Sequence, residues 1–360
     1  MSEVTVAAPA KINLLLRAGS PQPDGYHPLL TVFQAVSLFE RVTLRLADRT
    51  GVALSVSGRQ SHLVPLNQTN LASRAVWAVA NHLGLAPAVE LHIDKAVPVA
   101  GGLAGGSADA AAALVAANRL WQAGLDGATL HRLAAGLGSD VNICLTGGTA
   151  IGRGRGERLE PLDPATGSAL AGGSHGSPCT ELQGPTFGSE GRSAQVDHQV
   201  VPEVRPQHAA RAGVPCNPTT TLHWVLVARP SVGLSTPAMF AALDQARAGT
   251  VVGLPDQIPT DLVRALRRGD AAAIGHHLAN DLQAPALAAQ PVLGQTLTTA
   301  LSAGALGAVV SGSGPTVAAL AASAAHAADL AEAIARSDPK VEPLTVTAPV
   351  PGPLAGSAAA

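Results

Sequence analysis

Aromatic side chains are nearly missing: 360 residues hold one tyrosine, three tryptophans and four phenylalanines. Alanine, valine and leucine must therefore fill the core of a chain that is 47% hydrophobic. Excess positive charge is missing too. The formal net charge is -2, so there is no basic field for nucleic acid. Cysteine is sparse, and Cys144, Cys179 and Cys216 follow no metal or disulfide spacing, which fits a reducing cytoplasm. The opening MSEVTVAAPAKINLLLRAG has no cationic run ahead of an apolar one, which argues against a secretory signal. No apolar run reaches the ~18 residues of a membrane span. The expectation is a cytoplasmic protein with no membrane partner, long enough for two domains at about 100–200 residues each.

The text that is present alternates unevenly between strand and helix patterns. Residues 4–16 read as a strand with Pro9 as a kink or edge, and PQPDGYHP (21–28) is turn chemistry. Residues 29–46 read as strands. NLASRAVWAVANHL (70–83) has helical spacing behind Asn70 as N-cap. Residues 89–99 form a strand leading into glycines, 107–122 and 129–136 helices, and 138–162 a turn followed by strand and hairpin. From 163 to 221 the composition turns to Gly, Ser, Pro, Thr and His without periodicity, which predicts a disordered insertion. Ordered text resumes with a buried strand at 222–230. Helices follow at 236–248, 261–268, 271–278 and 291–303, then strand, glycine turn, strand, a helix at 324–337 and a strand near 339–347. Residues 348–360 read as a flexible tail. Without regular βα alternation this is an α+β chain, with domains at 1–162 and 222–347.

PVAGGLAGGSADAAAAL, Pro98 to Leu114, puts four glycines directly before an alanine-rich helix. A helix N-terminus presents unpaired N–H groups and partial positive charge, and Gly101, Gly102, Gly105 and Gly106 let backbone amides crowd an anion without Cβ obstruction. Ser107 can cap the helix or offer its hydroxyl to a phosphate or Mg²⁺. Ser107 stands where a Walker A loop needs lysine, and the Rossmann G-x-G-x-x-G is absent. A structural glycine turn explains the same letters, but two further glycine segments, at Gly138–Asp140 and Ser311–Thr316, strengthen the phosphate reading.

The run from Pro98 to Ser107 resembles the phosphate loop of the GHMP kinases. Further segments resemble the same family in the same order: APAKINLLLRAG with DGYHPLLTVFQAV, GSDVNICLTGGTAIGRGRGERL and SGSGPTVAAL. Within the family, the first two point toward members acting on a cytidine diphosphate-linked methylerythritol. The resemblance implies a two-domain GHMP kinase fold: an N-terminal domain like ribosomal protein S5 domain 2 and a ferredoxin-like C-terminal domain, with the active site between. It also implies that ATP, expected with Mg²⁺, phosphorylates the substrate's 2-hydroxyl in isoprenoid precursor synthesis.

Residue roles follow from the same resemblance. Asp140 becomes the base that relieves the acceptor hydroxyl of its proton, although a turn cap would explain it equally. Lys11, in an apolar strand, becomes its partner, the alternative being a snorkelling edge lysine. Pro98, Val99, Ala100, Gly101, Gly102, Leu103, Ala104, Gly105, Gly106 and Ser107 surround ATP. Asn70 and Lys95 approach its base, or serve only as a helix cap and a solvent-facing strand charge. Tyr26 and His27 read the cytidine, Asn13 bonds the substrate, Thr236 and Phe240 close the pocket, and Gly312 and Gly314 line it or merely make a tight turn. No metal site is expected among the twelve histidines. The chain is expected to work as a monomer or homodimer. Open rivals are another GHMP substrate, such as homoserine or a mevalonate derivative, and a silent nucleotide-binding module.

Overall fold

The computed structural model describes residues 2–162, 221–229, 233–255 and 257–355. The first half is built on two long strands. β1 (Glu3–Ala18) and β2 (Leu29–Leu46) pair antiparallel along nearly their whole length. Register shifts fall at Pro9/Ala10 and Asn13/Leu15, so Pro9, which has no N–H to give the ladder, sits at an irregularity inside the strand. β2 then serves two neighbours: residues 41–46 pair with β4 (Ala88–Lys95), and 29–34 pair with β5 (Thr149–Gly154). β3 (Gly51–Gly58) runs parallel to β4, and β6 (Arg158–Pro161) closes a hairpin on β5.

Helix α1 (Leu71–Leu83) begins at Asn70, whose side-chain oxygen accepts from the Ala72 and Ser73 amides. Helix α2 (Gly105–Leu120) is the centre of this half. Its residues Ala108 to Ala117 are buried on every face, which small alanine side chains allow against α1 and the β1–β2 pair. It starts two residues earlier than the sequence predicts, so Ser107 lies inside the first turn. The capping position is Ala104, with φ 61° and no side-chain cap. α3 (Gly127–Leu137) follows from an Asp126 cap. Where a strand is expected after Gly138, the chain instead forms a short helix, α4 (Val141–Thr146), completely buried.

In the second half, β7 (Leu222–Ala228), β9 (Gly307–Val310), β10 (Val317–Ala321) and β11 (Glu342–Ala348) make one sheet in the order β11-β7-β10-β9. Period two splits β7 between two cores. Trp224 and Leu226 pack with Ile12 and Leu14 of β1, joining the two sheets. Val225 and Val227 face α9 (Val292–Ser302) and α10 (Ala324–Ser337). α5 (Thr236–Arg247), α6 (Thr260–Arg268), α7 (Ala271–His276) and α8 (Gln283–Ala289) complete this half. β8 (Ala279–Asn280) reaches across to pair with Leu15 and Leu16 of β1.

The flexible tail expected from 348 is corrected as far as residue 355. Gly352 donates to the Thr146 carbonyl and Leu354 to that of Leu145, and Leu354 joins the first half's core. Residues 356–360, and all of the expected insertion but Thr221, lie outside the described residues.

Candidate active site

The phosphate loop leaves β4 at Lys95 and enters α2 at Gly105. Ala100, Gly102 and Ala104 all have positive φ, at 54°, 77° and 61°. For the two alanines that conformation costs about 1–2 kcal/mol each, so the surroundings must impose it. Leu103 is fully buried and anchors the loop, and the Val99 N–H donates to Gln60 Oε1 at 2.8 Å. Ala100, Gly101, Gly102, Ala104, Gly105, Gly106 and Ser107 line a cleft of about 1320 Å³, whereas Pro98, Val99 and Leu103 lie behind it. The uncapped start of α2 opens into this cleft.

The loop is clasped from the other half. Thr316 N–H donates to Gly101 O at 3.2 Å, and Ser311 Oγ donates to Gly102 O at 3.2 Å. A Cβ on Gly102 would stand 2.4 Å from Ser311 O, so glycine is required there twice over, by conformation and by space. Gly312, at φ 57°, comes near the first half as well: a Cβ there would lie 3.3 Å from Lys11 Nζ and 3.4 Å from Asn13 Oδ1. Asn280 holds this turn by donating to Val310 O and Gly312 O, both at 2.7 Å. Gly314 lines the cleft next to Leu234.

Lys11 and Asp140 meet in the cleft, with Nζ 3.3 Å from Oδ2. Lys11 Nζ also donates to Asn13 Oδ1 at 2.8 Å and to Gly102 O at 3.2 Å. Its three donors are thereby directed, although the side chain is only 5% exposed. Asn13 is held in turn, donating from Nδ2 to Thr31 Oγ1, which donates to Leu15 O. Asp140 occupies the N-cap position of α4, yet its side chain makes no cap hydrogen bond. The carboxylate is left for Lys11 and the cleft.

The aromatic turn lines the same cleft. Tyr26 is 54% exposed, with the Arg155 guanidinium 3.5 Å above its ring, and Arg155 is itself paired with Asp24. His27 stacks on Phe240 with centroids 4.6 Å apart, and its Nε2 lies 2.9 Å from Asp244 Oδ1. Thr236 Oγ1 and Ser313 Oγ are 2.9 Å apart. Asp244, Arg155, Ser313 and Asn280 were not legible as site residues. Asp244 had a signal, because it lies one turn after Phe240 on the same face of α5.

Asn70 and Lys95 do not present their side chains to the cleft. The Asn70 oxygen caps α1, and its amide donates to Pro65 O at 3.0 Å. Lys95 is not solvent-facing. It is buried between two carboxylates, in contact with Glu40 and 2.7 Å from Asp109 Oδ2. Glu40 Oε2 accepts from the Ala96 N–H, and a Cβ on Gly105 would lie 3.0 Å from Glu40 Oε1. Asp109 Oδ1 is buried without a hydrogen-bond partner. Burial, helped by the Asp109 charge, pushes Glu40 up to about 7, and burial raises Asp109 as well. Burial opposes the Lys95 charge, but the two carboxylates outweigh it and raise its value. This triad sits under the loop and tethers both ends of it.

Among the described residues, no three His, Cys, Asp or Glu side chains converge as metal ligands, and no helix is long and apolar enough to cross a membrane.

Residues 70–148 match the family described as GHMP kinases N terminal domain, and 262–340 match GHMP kinases C terminal. A protein of Thermobifida fusca (strain YX) named 4-diphosphocytidyl-2-C-methyl-D-erythritol kinase is 43% identical, with 98% of this chain and 97% of that one covered. A protein of Streptomyces coelicolor with the same name is 42% identical, over 91% of each. Among solved structures, one titled 4-(cytidine 5'-diphospho)-2C-methyl-D-erythritol kinase superposes with TM-score 0.65 at 26% identity, over 96% of this chain and 100% of that one. A homoserine kinase from Cytophaga hutchinsonii shares the fold, with TM-score 0.65 at 19% identity over 98% and 96% of the two chains. With both halves matched and relatives of this identity spanning nearly its whole length, the chain belongs to the GHMP kinases, in the group whose curated members are named 4-diphosphocytidyl-2-C-methyl-D-erythritol kinase.

Proposed function

We propose that this chain transfers the γ-phosphoryl group of ATP to the 2-hydroxyl of 4-diphosphocytidyl-2-C-methyl-D-erythritol, a step in isoprenoid precursor synthesis. The observation that carries this reading is one cleft lined by three parts: an uncapped helix N-terminus, the Lys11–Asp140 pair, and the His27–Phe240 slot. ATP phosphates lie on residues 100–107, where backbone N–H groups and the helix field favour anions. The cytidine lies at Tyr26, His27 and Phe240, with Thr236 and the Gly312–Gly314 turn along its path. The acceptor hydroxyl then falls beside Asp140. As its oxygen bonds to the γ-phosphorus, the bond to the bridging oxygen breaks, ADP leaves, and the proton passes to the Asp140 carboxylate. Lys11 holds that carboxylate in place, 3.3 Å away, and offsets charge on the transferring group. Asn13 orients Lys11 and the acceptor. Asn70 and Lys95 support the nucleotide end from behind.

Mg²⁺ accompanies the ATP phosphates. Among the cleft's side chains the Ser107 hydroxyl on the loop and the Asp140 carboxylate offer oxygens that would hold it. That suits a cation which keeps its waters and takes few protein ligands. Every site residue named comes from one chain, so a monomer or a homodimer serves equally. The buried free thiol of Cys144 suits a reducing cytoplasm with an ample ATP supply.

ADP release is measured with the diphosphocytidyl methylerythritol, homoserine and mevalonate as acceptors. Turnover with the first alone is expected. Turnover only with homoserine or mevalonate refutes the substrate, and none with any acceptor points to the silent module. Asp140→Asn should leave ATP affinity within about twofold and lower kcat by about 10²–10⁴.

A further inference from the structure

The segment after β11 does not end with its own sheet. It crosses to the first half and lies along the end of α4 opposite Asp140. Val350 donates to Ala35 O of β2 at 3.2 Å and accepts from Gly148 N–H at 2.7 Å. Gly352 N–H then reaches Thr146 O at 3.1 Å, Leu354 N–H reaches Leu145 O at 3.3 Å, and Arg119 of α2 donates to Pro353 O at 3.4 Å. Packing is backbone against backbone. A Cβ on Gly352 would stand 2.4 Å from Leu145 O, and one on Gly147 would stand 2.0 Å from Gly352 N.

These contacts fall where α4 needs them. A helix of six residues is far too short to hold itself in water, and its last carbonyls have no partner within the helix. Two of those carbonyls, Leu145 O and Thr146 O, take their donors from this segment. At the other end of the same helix stands Asp140, with no cap bond of its own. Between them, α4 is tied by the side chains of Asn142, to His131 Nδ1 and Glu157 O, of Cys144, to Ala104 O, and of Thr146, to His131 Nε2, while its backbone end is held by this segment.

We propose that residues 349–355 are a positioning strap for the phosphoryl-transfer reaction. They fix α4 along its axis and so set where the Asp140 carboxylate stands against Lys11. The His27–Phe240 slot rests on other elements, and the phosphate loop meets α4 at Ala104 O, which accepts from Cys144 Sγ at 4.0 Å. The inference rests on the kinase reading of the cleft.

The test is a cycle of variants in the full chain, with ADP release on the diphosphocytidyl acceptor as readout. Gly352→Ala lifts the strap from Leu145. It is expected to lower kcat at least tenfold while KM for ATP and for the acceptor stay within twofold. In an Asp140→Asn background the same substitution is expected to change kcat less than twofold, because the group it positions is already disabled. A chain ending at Pro349 is the second variant, expected to behave the same way if it folds. An equal fold-loss in both backgrounds, a rise in both KM values, or unchanged kcat in Gly352→Ala would overturn the strap. Absence of turnover in the unaltered chain would instead overturn the kinase reading.

Discussion

Replacing Lys95 by Met tests what the buried triad does. Methionine keeps most of the apolar stem and removes the charge, leaving the Glu40 and Asp109 side chains, 0% and 4% exposed, facing each other without a cation. At 2.7 Å and an effective dielectric of about 20, the attraction of Lys95 for Asp109 is about 6 kcal/mol before desolvation is counted. The carboxylates can escape the full loss by taking up protons. For Glu40, already pushed up to about 7, that is nearly free at pH 7.5. For Asp109, starting from an unfolded value of about 3.9, it costs at most about 5 kcal/mol, at about 1.36 kcal/mol per pH unit. The expected loss is therefore about 3–5 kcal/mol, the range for removing one partner of a buried pair. Urea unfolding at pH 7.5, followed by the fluorescence of the fully buried Trp224, measures it. At pH 5.5 protonation is cheaper, and the deficit should shrink by about 2–3 kcal/mol. Stability within about 0.5 kcal/mol of the unaltered protein, together with a tenfold rise in KM for ATP, would refute this account. Lys95 would then act on the nucleotide directly.

Glu40→Gln should change the pH profile of stability. The native state holds a proton on Glu40 up to about 7, whereas the unfolded chain releases it near about 4.3. The group's stabilisation is thus full below the unfolded value and is lost as pH rises through the folded one. The unfolding free energy of the variant relative to the unaltered protein should therefore increase by about 1–3 kcal/mol from pH 5 to pH 8. His131, lowered by burial, contributes an opposite slope to both proteins and cancels in that difference; a flat difference refutes the assignment. Asp244→Ala removes the partner of His27 Nε2 and should weaken diphosphocytidyl acceptor binding about fivefold, with KM for ATP unchanged; calorimetric titration of both ligands decides. Gly102→Ala drives a Cβ to 2.4 Å from Ser311 O and should lower turnover by about 10² or more through displacement of the loop. Near-normal turnover would mean the clasp gives way easily.

The architecture was legible wherever side-chain periodicity carries it: α1 with its asparagine cap, the β1–β2 pair, and α10 to the residue. It failed at α4, where VNICLT is rich in β-branched and apolar letters and reads as strand. Burial on all sides, side-chain bonds to His131, Ala104 and Glu157, and donors brought from residues 352 and 354, far along the chain, hold it as a helix. Lys95 was half legible. β4 alternates with Val89, Leu91 and Ile93 inward, and period two puts Lys95 on that same face, so burial could have been read and solvent exposure refused. Its partners could not: Asp109 sits in an alanine run and Glu40 in another strand. The segment at 349–355 gave no sign because its contacts are made by peptide groups, which every residue has. Of the site, the Lys11–Asp140 meeting and the aromatic turn stood out on resemblance, while Asp244 and Asn280 act by supporting other residues and match no motif.

The seam between Gly102 and Ser311 also limits how such a protein can diverge. Neither side of it can accept a bulkier residue alone, since the backbone of one is the wall of the other. A second half exchanged from a relative would restore a working nucleotide pocket only if its Ser-Gly-x-Gly turn had the same depth. The two segments, 209 residues apart in sequence, are obliged to change together.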